Sequence, residues 1–95
     1  MFSIIEQIIA SHFGITQEEL LTEQTRSASD ARHFLWYILH TILGYSSKNI
    51  GKHYSVTRRT VLLYSASVRD GIKTQPFYAT NFKSIQSKLK VLDLI

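Results

Sequence analysis

The stretch from Ser47 to Val68 constrains this chain more than any other, because two helical periods are separated there by only three residues. Ile50, Gly51 and Tyr54 fall on one face of a first helix, Ser55-Val56-Thr57 intervenes, and Val61, Ser65, Val68 and Ile72 resume the apolar face of a second. So short a break makes the two helices cross at a steep angle, which requires small residues at the crossing and an apolar plug in the angle. Gly51 and Ser55 are the small residues and Val56 is the plug. The pattern predicts a helix-turn-helix with Arg58, Arg59, Leu62 and Leu63 on its outward side.

The remaining periodicity is helical throughout. Ser3 and Glu6 have capping-box spacing ahead of Ile4, Ile5, Ile8 and Ile9, which predicts a helix over about 3–13 ending at Gly14. Thr16 and Glu19 repeat that spacing before Leu20 and Leu21, starting a short second helix. Ser27 or Ser29 caps a third over about 29–43, where Ala31, Phe34, Leu35, Ile38 and Ile42 share a face, Trp36, Tyr37 and Leu39 widen it, and Gly44 stops it. Ser46 or Ser47 caps the first helix of the motif, and the second runs from about 58 to Gly71. Pro76 breaks the chain, and Thr80–Leu94 forms a last helix with Phe82, Ile85, Leu89 and Leu92 as its buried stripe. No strand-length alternation and no repeat occurs, so the expected fold is all-α, a compact bundle of five to six helices.

With 95 residues the chain buries about 60–65% of its unfolded surface, enough for one core and no more. We expect a helix-turn-helix domain over 1–75 and, over 76–95, a C-terminal helical extension of that same domain. No cysteine is available for disulfides or thiolate metal ligands, and no apolar run approaches a membrane span. Formal charge is unevenly spread. Residues 1–25 carry −4, whereas residues 46–73 hold Lys48, Lys52, Arg58, Arg59, Arg69 and Lys73 against Asp70, a local +5. Basic charge concentrated on the motif is what a phosphate-binding surface requires, though a solvated face has the same composition.

In a helix-turn-helix the start of the second helix enters the major groove, and its positive dipole end favours phosphate. Thr57, Arg58, Arg59, Thr60 and Leu63 therefore form the expected DNA-reading edge. Arg58 or Arg59 has the geometry for a bidentate contact to guanine, and Leu62 or Leu63 for a thymine methyl. Lys48, Lys52 and Arg26 are expected to neutralise phosphates.

His12-Phe13-Gly14-Ile15-Thr16 leads to Glu19-Leu20-Leu21, then come Arg26-Ser27 and Ala31-Arg32-His33 opening the long helix, and after it Gly44-Tyr45-Ser46-Ser47, Ile50-Gly51 and Thr60-Val61-Leu62. In this order and spacing, over about residues 1–72, the chain resembles the C-terminal DNA-binding domain of the bacterial replication initiator DnaA. The resemblance implies duplex binding in replication or transcription control, minor-groove and backbone contact by Arg26, and a phosphate contact by Arg32. The family's recognition helix begins Asp-His-Thr-Thr-Val, where this chain has Thr57-Arg58-Arg59-Thr60-Val61. Two arginines in place of those readers imply a different base preference. No glycine-rich phosphate loop ending in Gly-Lys-Ser/Thr occurs. We therefore expect a stand-alone, divergent copy of the domain without the initiator's ATPase module, located in the cytoplasm with the nucleoid.

His12, His33, His40 and His53 lack metal-ligand spacing, and Asp30 and His33 accompany no nucleophile motif, so no metal, no cofactor, no small-molecule substrate and no enzyme activity are expected. The alternative function is a protein-interaction or dimerisation module that reuses the fold without specific DNA binding. A homodimer or protein partner would dock through residues 77–95 or through Leu62 and Leu63, and the tail is equally readable as a cap on the domain's own core.

Overall fold

The computed structural model describes residues 2–95, all of its regular structure helical. Helices α1 (Phe2–His12), α2 (Gln17–Thr22), α3 (Arg26–Tyr37), α4 (Ser47–Tyr54), α5 (Arg58–Thr74) and α6 (Pro76–Val91) follow in order, and α3 continues into a π-helical turn over Ile38–Ile42. α3 is the centre of the bundle: Phe34, Leu35, Ile38 and Leu39 are fully buried, and α1, α2 and α5 all pack on it. Ile5 and Ile9 from α1, Leu20 from α2, Ile50 from α4, Val61 and Val68 from α5, and Ile85 and Leu89 from α6 complete one core. The Cα radius of gyration is 12.1 Å, close to the ~13 Å of a compact 100-residue domain, so α6 folds back rather than projecting.

Local chemistry sets most helix starts. Thr16 and Glu19 form the expected reciprocal capping box on α2, and Ser46 accepts from the Asn49 N–H at the start of α4. Gly14 and Gly44 adopt positive φ, as the helix stops they supply require.

Four expectations are corrected. Ser3 lies inside α1, and Glu6 does not cap it. The Glu6 carboxylate turns inward and accepts from Tyr54 Oη at 2.5 Å and Gln17 Nε2 at 2.7 Å. A buried carboxylate needs such donors, and a local cap cannot compete with two of them. α3 starts three residues earlier than expected, because Thr25, not Ser27 or Ser29, accepts from the Ala28 N–H. Pro76 opens α6 rather than preceding it at a distance, since proline at the first helical position has the right φ and no N–H to leave unpaired. The helix then ends at Val91, so Leu92 is 55% exposed while Tyr78, Phe82, Ile85 and Leu89 supply the inward stripe.

Candidate nucleic-acid interface

The crossing of α4 and α5 is built from the residues that the spacing singled out. A Cβ placed on Gly51 would lie 2.6 Å from the Val56 carbonyl oxygen and 3.2 Å from the Arg58 nitrogen, so only glycine lets the turn fold this closely over α4. Ser55 takes the left-handed conformation at φ 58°, ψ 39°, and the Val56 N–H donates to the Gly51 carbonyl at 2.9 Å. Val56 is half-buried against the core, where Ile50 and Val61 are fully buried.

Thr57 caps α5. Its hydroxyl oxygen accepts from the Thr60 N–H at 3.1 Å and lies 2.9 Å from the Thr60 hydroxyl, so these two side chains are bonded to each other. Arg58, Arg59, Leu62 and Leu63 project outward from the next turn, with Leu63 62% and Leu62 42% exposed. Among the described residues neither guanidinium makes a hydrogen bond or ion pair within the chain, and the first turn of α5 has no acidic side chain to compete for it. The opposite face, through Val61, Ser65, Val68 and Gly71, is buried. Lys48 and Lys52 stand exposed one turn apart on α4.

The two arginines expected beside the motif are deployed differently. Arg26 is the first residue of α3, its side chain 95% exposed and only loosely paired with Asp30 at 3.9 Å. An exposed pair this long contributes little and leaves the charge toward solvent. Arg32 donates from one guanidinium nitrogen to the carbonyls of Leu20 and Glu23, both at 2.8 Å. It thereby closes the C-terminal end of α2 against α3, where basic groups satisfy orphan carbonyls.

Arg32 also lines a cleft of about 340 Å³ between the α2–α3 connection and the turn of the motif. Gln24, His33, Tyr54, Val56 and Tyr64 share it. The His33 ring stacks on Tyr64 with centroids 3.9 Å apart. Burial holds the His33 pKa below the ordinary imidazole value, with Asp30 opposing the shift and Arg32 adding to it. Sequence reasoning set His33 aside and passed over Gln24 and Tyr64. Only the packing of α5 on α3 brings them together. Phe34, Trp36 and Tyr37 are buried, so these rings belong to the core and not to an exposed stacking surface.

Among the described residues no helix is long and apolar enough to cross a membrane, and no group of three acidic, histidine or cysteine side chains is placed to hold a metal ion. No curated protein matches the chain in direct sequence comparison. The family model for the bacterial DnaA protein helix-turn-helix matches residues 2–68, from the start of α1 to the middle of α5. That span takes in α1 to α4 and more than half of α5, leaves out α6, and agrees with the stretch that carries the resemblance. The chain therefore belongs to the bacterial DnaA helix-turn-helix family, a family of DNA-binding domains.

Proposed function

We propose that this chain binds double-stranded DNA sequence-selectively, with the first turn of α5 in the major groove. The observation that carries this reading is the pair Arg58 and Arg59. Both stand exposed at the positive end of a long helix, with no partner among the described residues, over a crossing too close for any residue but glycine. One of them reads guanine in a bidentate contact, and Leu63 contacts a thymine methyl. Thr57 and Thr60, bonded to each other, hold the helix start at the groove. Lys48, Lys52 and Arg26 neutralise phosphates, and Arg32 sets the α2–α3 connection against the backbone while contributing charge. Residues 1–75 act as the binding unit and 76–95 as its helical extension. Replication or transcription control at the nucleoid is the setting, and the role is binding rather than catalysis.

The test is fluorescence anisotropy of a labelled duplex at increasing salt. Three phosphate neutralisers predict that log affinity falls with log salt at a slope of roughly −3. Arg58→Ala with Arg59→Ala lowers affinity at least tenfold, as loss of one good base contact requires (about 1–3 kcal/mol). Binding weaker than millimolar at low salt, or unaffected by the double substitution, overturns this reading. The exposed Leu62 and Leu63 would then serve a protein partner. Selection from a random duplex pool identifies the preferred site.

A further inference from the structure

α4 is the short arm of the motif, eight residues ending at Tyr54 immediately before the left-handed Ser55. A helix this short does not hold its own orientation in water, so its neighbours decide where it ends and where the turn begins. α1 supplies two side chains that do so. The Phe2 ring stacks on Tyr54 at 5.9 Å and meets His53 edge-on at 4.7 Å, apolar contacts that fill the space beside the helix end. Glu6 adds direction. Its Oε2 accepts from Tyr54 Oη at 2.5 Å, and its Oε1 accepts from Gln17 Nε2 at 2.7 Å. Gln17 is the first residue of α2, whose far end is held by Arg32 and leads through Gln24 to Arg26. A single carboxylate, 4% exposed, thus joins the segment that presents Arg26 to the turn that presents Arg58 and Arg59.

On the duplex-binding reading, we infer that Glu6 and Tyr54 are positioning residues for the base contacts of α5, joined by a bond that keeps the motif turn in register with the α2–α3 connection. Glu6 acts through Tyr54, since its carboxylate is buried. Base contacts tolerate displacements of only about 0.5 Å, so the reading edge and the α2–α3 connection meet one duplex together only when their spacing is fixed. Phosphate contacts by lysine tolerate far more, because an ammonium on a flexible stem acts as a point charge. The bond therefore serves selectivity and not affinity in general. An apolar side chain at position 6 would fill the same space without the cost of burying a carboxylate, but would hold neither Tyr54 nor Gln17 in a fixed direction. The Tyr54 ring also forms a wall of the cleft with Val56, Gln24 and Arg32, so a shift of Tyr54 moves that wall.

Fluorescence anisotropy well below the melting range tests it, with the duplex selected from the random pool and with random duplex. Tyr54→Phe removes the hydroxyl and keeps the ring. It is expected to lower affinity for the selected duplex about fivefold or more, the lower end of what one base contact is worth, and to leave random-duplex affinity and the salt slope as in the parent. Glu6→Gln keeps an acceptor for Tyr54, and the Gln17 amide can reverse to accept from the new one, so this variant retains the parent's preference. Lost global stability would not separate the two duplexes, since circular dichroism first checks that each protein is folded at that temperature. Amide hydrogen exchange gives a reading without DNA. In Tyr54→Phe the Val56 N–H, bonded to the Gly51 carbonyl, is expected to exchange faster relative to the core amide of Leu35 than it does in the parent. Equal loss for both duplexes, no loss for either, a Glu6→Gln variant as impaired as Tyr54→Phe, or unchanged Val56 exchange overturns the inference while duplex binding stands. A parent that does not distinguish the duplexes overturns sequence-selective binding and the inference with it, a failure visible before any variant is made.

Discussion

Gly51→Ala sets two well-known effects against each other at one atom. In an ordinary helix interior the change stabilises by about 1 kcal/mol, because alanine is the better helix former. Here the new methyl lies 2.6 Å from the Val56 carbonyl oxygen, closer than real Cβ atoms come, and a tight 3.3 Å from the Thr57 carbonyl carbon. These are main-chain atoms of the turn, tied down by the Val56 N–H bond to the Gly51 carbonyl and by the left-handed Ser55. No rotamer change relieves the contact, and the turn itself has to move. Overpacking of this kind costs about 1–3 kcal/mol. The steric cost sits at the upper end of that range, so the net loss is about 1–2 kcal/mol, which lowers Tm by roughly 4–16 °C in a chain of this size. Thermal unfolding followed by far-ultraviolet circular dichroism measures it. A Tm equal to or above the parent's would refute the claim that the crossing is too close for a side chain. Because the turn aims α5, duplex affinity measured well below the melting range is expected to fall as well.

Two further outcomes follow from buried polar groups. Ser65 is 4% exposed and its hydroxyl has no hydrogen-bond partner among the described residues, so Ser65→Ala is expected to raise stability by about 1 kcal/mol, read as a higher midpoint in denaturant unfolding with unchanged slope. A lower midpoint would show that the hydroxyl is bonded in solution. Burial lowers the His33 pKa below its unfolded value near 6.5, so its contribution to stability is complete above that pH and is lost as pH falls through the folded-state value. Proton NMR should give a His33 midpoint below 6.5, and melting temperatures should decline less steeply with acid in His33→Gln; a midpoint at or above 6.5 would contradict the burial argument.

Sequence spacing shows the α4–turn–α5 unit clearly because everything that defines it is local. Gly51, Ser55, Val56 and Val61 meet across one turn, and the inward step from Val61 through Ser65 to Val68 follows from helix geometry alone. The Thr16–Glu19 box formed for the same reason. Ser3 and Glu6 have identical spacing, but the Glu6 partner Tyr54 lies 48 residues away. No window along the chain contains that competition. Arg32 is a similar case, since the Leu20 and Glu23 carbonyls it bonds lie twelve and nine residues back along the chain and come within its reach only when α2 packs on α3. The π-helical turn at Ile38–Ile42 has no local signature. Its extra residue per turn lets the Tyr45 N–H reach the Leu39 carbonyl at 2.9 Å.

The two faces of α5 answer to different demands, and that separation explains how the frame and the reading edge can diverge. Val61, Ser65, Val68 and Gly71 are held by packing on α3, α4 and α6, so substitutions there change stability. Arg58, Arg59, Leu62 and Leu63 are exposed, and replacing such residues alters folding by no more than about 0.5 kcal/mol. The fold therefore exerts almost no selection on which side chains stand at the reading edge. The exposed side chains of the first turn, Arg58 and Arg59 among them, can therefore be exchanged while the Gly51 crossing, the Val56 plug and the Thr57 cap keep the turn in place. On the proposed reading, the buried face of α5 sets stability and its exposed face sets base preference, so the two can change separately.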